Sequence, residues 1–408
     1  PPSSLARAFS ARPAWSVYTE TGGNSPQQAV NVVCERIAQG EAQLALVSGA
    51  EFLGSLMKRM KGGLGFEGWA DDLDSKPRRI GDPRPGVTAQ EAAHGLGYPV
   101  NTYPLFENAL RARDGRSIED HQRGLGAFFA PFTKVAAVNP YAWFPVERSA
   151  EELITVTDRN RMVGFPYPKY LNAIMEVDQS AAVLIASVRK ARELGVPEDR
   201  WVFLHGCADA SDLWYPLERR NYHSSPAMRL TGERAFEMAG ISAADLSLID
   251  LYSCFPSAVR IGAEELGLAL DDPRGLTVTG GLPYFGGPGN NYALHAIAEM
   301  VTRLRHRPGA YGLSTANGWF LTKQSVGIYS TRPVEDRWER QSPAVLQAKI
   351  DALPRPEIVE KPEGRARFVA QTPDDPAVLR DLESREGVGR MGTVGAHPDG
   401  VRNLFTPD

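Results

Sequence analysis

A chain of 408 residues with 42% hydrophobic content is long enough to bury a large core and to hold more than one domain. Its net charge of −4, with no basic stripe, excludes the electrostatic footprint of a nucleic-acid binder. The longest apolar run, Ala181 to Val188, falls far short of the roughly 20 residues of a membrane span. Three cysteines, Cys34, Cys207 and Cys254, make no disulfide framework, so the cytoplasm is the expected compartment.

In chain order, the first helix signal follows the pair Gly22-Gly23. Ser25 reads as an N-cap, Pro26 as a first-turn residue and Gln28 as the end of a capping box. Val30, Val33 and Ile37 mark the buried face of a helix running to about Ala38 and stopping at Gly40. Cys34 lies within it as a packing residue. Leu44 to Ser48 reads as a buried strand. From Glu51 to about Tyr141 the pattern loosens into glycine, proline and charge, with a basic run from Lys58 to Lys61 that reads as a solvated face. A helix is expected around Leu105 to Arg113, and His94 and His121 read as structural.

Beyond Tyr167, Ser180 is placed to cap a helix that reaches Leu194 and ends at Gly195. Trp201 to Leu204 reads as a strand ending in HGCADASD. In an extended chain His205, Cys207 and Asp209 would share one face, but their spacing matches no zinc signature, so a hydrogen-bonded turn is the expected outcome and no metal is expected. Glu233 to Ala239, closed by Gly240, is a short helix. The apolar run Leu246 to Tyr252 then breaks at Tyr252-Ser253-Cys254-Phe255 into another helix.

The densest signal is GGLPYFGGPGNNYALH, Gly280 to His295, with five glycines and two prolines in its first ten residues. Such a backbone bends tightly and comes close to its neighbours. Leu294, Ile297, Val301 and Leu304 continue it as an amphipathic helix, whose first turn offers free N–H groups suited to an anion or oxyanion. AYGLSTANGWFLTKQSVGIYS then reads as a strand, a turn at Asn317-Gly318 and a second strand, Ser325 to Ser330. In the tail, Trp338, Leu346, Ile350 and Leu353 suggest a helix before the linker LPRPEIVEKPEG. Arg365 to Thr372 reads as a strand, Asp375 as a cap with Pro376 in the first turn, and the segment from Gly387 to Phe405 as short β pieces.

Four glycine or polar loops at helix starts, in this order between Gly22 and Ser330, resemble the thiolase superfamily. The resemblance implies an α/β fold, the duplicated αβαβα layering, with a lid insertion and a small α+β C-terminal domain. It divides the chain into an N-terminal half over 1–160, a C-terminal half over 161–332 and a linker plus additional domain over 333–408. It also implies that strands and helices precede the first glycine junction. A chain opening on PPSSLARAF is then expected to be a piece whose preceding strands exist elsewhere, since without them the sheet would have an open edge and an uncovered apolar face, and a further gap is expected near Gly364 and Arg365.

The resemblance also places the chemistry. The family's nucleophilic cysteine falls on Gly23, beside Asn24. The histidine of its G-H-P loop falls on Gly287, within Gly286-Gly287-Pro288. Its second cysteine falls on Asn317, and its N-E-A-F or H-D-C-F loop falls on Tyr252 to Phe255. The standard Cys-His-Cys-Asn set is therefore replaced. What remains for a site is the Cys254 thiol, the Tyr252 phenol and Asn317 amide as oxyanion donors, His295 as a possible partner of Cys254, and the backbone of Gly23, Asn24, Gly286 and Gly287. The function implied is an acyl-CoA-handling protein, acetyl-CoA acetyltransferase-like, of lipid metabolism. No cofactor is expected to be tightly bound, and a coenzyme A thioester is the substrate. Lys58 to Lys61 would then meet coenzyme phosphate. The alternative is a non-catalytic relative that binds acyl-CoA or a partner protein, with a homo-oligomer left open.

Overall fold

The computed structural model describes residues 2–65, 76–335, 337–359, 361–367, 389–398 and 402–408. Helix α1 (Ser25–Ala38) leads into strand β1 (Leu44–Phe52). Helices α2 (Pro99–Arg113) and α3 (Ile118–Ala137) occupy the middle of the insertion, and strand β2 (Asp178–Ala186) closes it. Then follow β3 (Phe203–Ser211), α4 (Pro226–Ala239), β4 (Leu246–Asp250), α5 (Pro256–Glu265), α6 (Tyr292–Arg305), β5 (Tyr311–Gly318), β6 (Lys323–Ser330) and α7 (Pro343–Asp351). The tail contributes β7 (Gly364–Arg367), β8 (Met391–Ala396) and β9 (Asn403–Pro407), an antiparallel sheet in that order.

The molecule is layered. A four-stranded sheet of order β3-β6-β5-β4, antiparallel except for the β5–β4 pair, lies against α1 and α6, and those helices also touch the two-stranded β1–β2 sheet. Helices α4 and α7 cover the other side of β3. The two glycine turns expected to matter therefore feed the two helices of the middle layer. Leu294, Ile297 and Leu304 of α6 are buried there, as are Val30 and Val33 of α1. That is the expected α/β layering. Among the described residues no helix is long and apolar enough to cross a membrane.

Several local expectations are corrected. Residues 178–186 do not form a helix capped by Ser180. They pair with β1 through nine antiparallel registers, Leu44 opposite Ala186 to Phe52 opposite Asp178. Long-range pairing overrides the helical spacing. The helix starts afterwards, over Val188–Glu193, with Ser187 Oγ accepting the Lys190 N–H at 3.1 Å. Strand β1 is not buried throughout. Val47 is covered, but Leu44, Leu46 and Phe52 are exposed, as is Leu184 on its partner.

Ser25 is not the N-cap of α1. It is the first helical residue, Asn24 precedes it, and its hydroxyl donates to the Glu20 carbonyl at 2.7 Å. HGCADAS is strand rather than turn, because it pairs with β6 from Ser211 opposite Lys323 onward. In that strand Asp209 accepts from Ser325 Oγ at 2.6 Å and from Arg340 at 2.7 Å, while His205 Nε2 meets the Arg332 carbonyl at 2.8 Å. Among the described residues no group of three or more His, Cys, Asp or Glu is placed to hold a metal ion.

Asn317-Gly318 is not the hairpin turn either. Both residues still pair with β6, Asn317 opposite Gln324, and the reversal lies at Trp319 to Thr322, with Trp319 and Leu321 at φ of 54° and 56°. Gly318 is instead a close-approach glycine: a Cβ there would lie 2.5 Å from Asn24 Oδ1. Trp338 lies outside α7 and donates its indole N–H to the Leu204 carbonyl at 2.7 Å. The strand expected from Arg365 is described only as far as Arg367. The helix expected at Asp375 lies outside the described residues.

Candidate functional site

The turn before α1 is held from three sides. Gly22 N–H donates to Asn290 Oδ1 at 2.9 Å, Lys323 Nζ donates to the Thr21 carbonyl at 2.5 Å, and Asn24 Nδ2 reaches Ser325 Oγ at 3.5 Å. Gly23 thereby sits against the start of α5's loop and the end of β5. A Cβ built on Gly23 would lie 2.0 Å from Tyr252 Oη, 2.5 Å from its Cζ and 2.6 Å from the Asn317 carbonyl oxygen. No side chain fits there while Tyr252 keeps its place, because real Cβ contacts are never that short. The phenol fills the space that a residue-23 side chain would need.

Tyr252 follows β4 and is fixed by its own N–H, which donates to Thr315 Oγ1 at 2.9 Å, and by the edge of Tyr292, 5.4 Å between ring centroids. Burial raises its pKa, so the group is a neutral phenol. Its hydroxyl has no hydrogen-bond partner among the described residues. Asp250, two residues earlier, binds the Val278 N–H at 2.9 Å and Thr277 Oγ1 at 3.1 Å. Burial pushes its carboxyl up to about 6 against those hydrogen bonds.

Cys254 lies under the same roof. Its carbonyl accepts from Ala173 N–H at 3.1 Å, and its Sγ is 3.9 Å from Asn317 Nδ2. Burial pushes the thiol up to about 12, with the polar neighbours Tyr103 and Asn317 opposing it. A nucleophilic cysteine needs the opposite shift. Asn317 Nδ2 donates to Tyr103 Oη at 2.8 Å, and its Oδ1 is buried without a partner.

The glycine loop before α6 joins this cluster through Ser253 and residues 173–174. Leu282 N–H donates to Ser253 Oγ at 3.3 Å, and Gly287 N–H donates to the Ile174 carbonyl at 2.8 Å. That N–H is already committed. Gly286 is the close-approach position: a Cβ there would meet Gln179 Oε1 at 2.5 Å. His295 stands apart, with Phe285 as its ring neighbour at 5.3 Å. Among the described residues no hydrogen bond joins it to Cys254, and its Nε2 is unpartnered. Burial lowers its pKa to about 4, leaving it neutral.

Gly23, Tyr252, Cys254 and Asn317 are therefore one cluster, with the Gly286-Gly287 loop beside it and His295 packed on Phe285 instead. Two members escaped the sequence reading. Tyr103 donates to the Trp319 carbonyl at 3.0 Å, accepts from Leu321 N–H at 3.2 Å and stacks on Phe255 at 4.5 Å. The spacing Tyr103, Phe106, Leu110 could have shown a buried helical face. Lys323, buried beside the Gly22 turn, lies 5.6 Å from the Trp214 ring and 5.7 Å from that of Trp319, and burial lowers its pKa. Nothing in LTKQS distinguishes it from a surface lysine.

The comparisons with known proteins agree with the layered α/β fold. Among solved structures, a monomeric SCP2-thiolase-like protein type 1 from Mycobacterium smegmatis is 38% identical, with a TM-score of 0.85, over 100% of this chain and 87% of its own. An Ltp2-ChsH2(DUF35) aldolase matches with a TM-score of 0.57 over 76% of this chain but only 20% identity, which speaks for the fold alone. Among curated proteins, an acetyl-CoA acetyltransferase of Methanocaldococcus jannaschii is 25% identical over 188 residues, 46% of this chain and 45% of that protein. A 3-ketoacyl-CoA thiolase of Cronobacter sakazakii is 29% identical over 160 residues, 36% of this chain and 35% of that protein. The chain thus spans less than half the length of these curated relatives. No family model matches the chain.

Proposed function

The chain belongs to the thiolase superfamily, and from that premise we propose that it binds acyl-CoA thioesters without forming an acyl-enzyme. The carrying observation is the 2.0 Å between Tyr252 Oη and a Cβ placed on Gly23. The position that the family resemblance assigns to the nucleophile has neither a side chain nor room for one. The neighbouring thiol, Cys254, is held protonated by burial, and Asn317 is tied to Tyr103. Covalent acyl transfer needs an activated nucleophile and a base beside it, and His295 is not hydrogen-bonded to Cys254. The division at 160 and 332 is part of the same proposal, as is a cytoplasmic place in lipid metabolism.

The test is incubation with acetyl-CoA, read by intact mass and by calorimetry. Saturable binding of the thioester with no added mass supports the reading. An acetyl adduct on Cys254 overturns the non-covalent part, and absence of binding overturns the acyl-CoA part.

One observation favours a second reading. A neutral tyrosine hydroxyl without a partner can donate a proton or hydrogen bond to an oxygen that gains charge. Together with the fold shared with the Ltp2-ChsH2(DUF35) aldolase, this supports carbon–carbon bond chemistry on an acyl thioester in which Tyr252 donates a hydrogen bond to the thioester oxygen as that oxygen gains charge, in company with a partner protein. Turnover that vanishes in Tyr252→Phe while binding persists would support that reading.

A further inference from the structure

Helix α1 carries a polar stripe on a side that is buried. Gln27, Asn31 and Glu35 recur at every fourth position, so they lie one above another along the helix. Gln27 and Asn31 are 0% exposed, and both are matched. Tyr329 Oη on β6 donates to Gln27 Oε1 at 2.9 Å, Gln27 Nε2 donates to Asn31 Oδ1 at 2.8 Å, and Asn31 Nδ2 donates to Asp209 Oδ2 on β3 at 3.0 Å. Gly327 on β6 leaves room for the first of them: a Cβ there would lie 2.5 Å from Gln27 Nε2.

The stripe ends on a side chain from outside this layer. Arg340 lies between β6 and α7, in a segment bound to β3, the edge strand of its sheet. Trp338 donates to the Leu204 carbonyl at 2.7 Å, while Gln347 accepts from Ser211 N–H at 2.9 Å and donates to the Ser211 carbonyl at 3.0 Å. The Arg340 guanidinium forks, with Nη1 on Glu35 at 2.6 Å and Nη2 on Asp209 Oδ2 at 2.7 Å. The side chains of Arg340 and Asp209 are only 4% and 5% exposed, so solvent ions screen that pair little.

Apolar packing through Val30 and Val33 decides which side of α1 faces inward, but such packing is non-directional and tolerates small slides along the axis. Directional hydrogen bonds do not. Gly23 lies about one turn before Gln27, where there is no slack: a Cβ on it would be 2.0 Å from Tyr252 Oη. A slide of α1 carries Gly23 with it and changes that contact.

We propose that Arg340 is a positioning residue: by bridging Glu35 and Asp209 it fixes where α1 lies along its axis, and so holds the Gly23 turn against the Tyr252 phenol. This deepens the acyl-CoA reading and takes its functional meaning from it, because the Gly23 cluster is the site that reading invokes. The geometry itself is read without any thioester.

The test observes Tyr252 in the unliganded whole chain, by NMR of protein labelled with ¹³C at the tyrosine Cζ. The Tyr252 signal is the one lost in Tyr252→Phe. Arg340→Met is expected to displace that signal and to lower the urea midpoint, since Asp209 is left buried without its cation. Adding Asp209→Asn removes the stranded charge and should recover part of the midpoint, with the Tyr252 signal still displaced because α1 still lacks its bridge. Should Arg340→Met fail to fold, the double variant carries the test. Trp338→Phe loosens the same segment without entering the stripe, and should lower the midpoint while leaving the signal in place. A Tyr252 signal unmoved by the Arg340 variants, restored by Asp209→Asn, or moved equally by Trp338→Phe overturns the proposal. Failure of acetyl-CoA to bind the parent chain counts against the acyl-CoA reading alone.

Discussion

Two polar clusters flank Phe255, which stacks on Tyr103 at 4.5 Å and packs on Tyr167 at 5.5 Å, and they have been treated oppositely by the packing. On the Tyr103 side, Gly23, Tyr252, Cys254 and Asn317 are pressed together so closely that a single added carbon on Gly23 would overlap the Tyr252 hydroxyl. On the Tyr167 side, Glu107 and His121 are just as buried but border about 420 Å³ of open volume. The lesson is that a loop can keep its place in the fold while the side chain expected there is excluded. At Gly23 the Tyr252 phenol takes the space that a residue-23 side chain would need. The cavity at Glu107 and His121 is lined by other residues.

The sharpest way to break this contrast is Gly23→Cys. A Cβ 2.0 Å from a phenol oxygen and 2.6 Å from a backbone carbonyl is expected to cost about 3 kcal/mol or more, at the upper end of overpacking, seen as a lowered urea midpoint. Pairing it with Tyr252→Ala should recover part of that loss, because the backbone oxygen remains. If Gly23→Cys is as stable as the parent, the cluster is not packed as described.

Next in size is the reactivity of Cys254. With its thiol pushed up to about 12, its alkylation by iodoacetamide at pH 8 is expected to run at least about a hundredfold slower than that of a free thiol, whose pKa is about 8.5. Mass spectrometry of the Cys254 peptide measures this, and labelling at the free-thiol rate would place Cys254 in an open site.

A smaller effect concerns pH. The carboxyls of Asp250 and Asp212 are both pushed up to about 6 by burial. The folded chain keeps these protons where the unfolded chain, with carboxyls near about 4, has lost them. Their contribution to stability is therefore full below about pH 4 and lost as pH rises towards about 6. Each adds a slope of up to about 1.4 kcal/mol per pH unit in that window. Asp250→Asn should flatten the urea midpoint between those limits. An unchanged slope would mean that Asp250 is ionised beneath Tyr252.

Smallest is Tyr103→Phe, expected to cost about 1–2 kcal/mol. The change keeps the stacking on Phe255 and removes the oxygen that serves Asn317, Leu321 and Trp319. A lowered urea midpoint measures the loss, and an unchanged midpoint would mean that the Tyr103 oxygen contributes nothing to holding this cluster.

Much of the architecture was readable from residue patterns. The glycine loop before α6 does feed a helix, Gly240 does end α4 in a left-handed turn at φ 65°, and the turn at Gly23 does meet Tyr252 and Asn317. The errors have a common source. Ser180 lies in a strand because β1 offers nine paired residues, a contact more than a hundred positions away. Asn317-Gly318 reads as a turn by local chemistry, yet Gly318 is needed for the approach of Asn24 from the other end of the chain. His121 looked like an isolated structural histidine because Glu107 and Tyr167, which give it an orientation, come from α2 and a separate short strand.

Residue patterns alone were enough for the α/β class, the bending of the glycine loops and the family, since these depend on glycine content and spacing along the chain. Three-dimensional packing alone placed Tyr252 in the space beside Gly23, kept Cys254 protonated by burial, and set Glu107 and His121 at the edge of a cavity. Those outcomes depend on excluded volume and desolvation among residues up to about three hundred positions apart, quantities with no local signature.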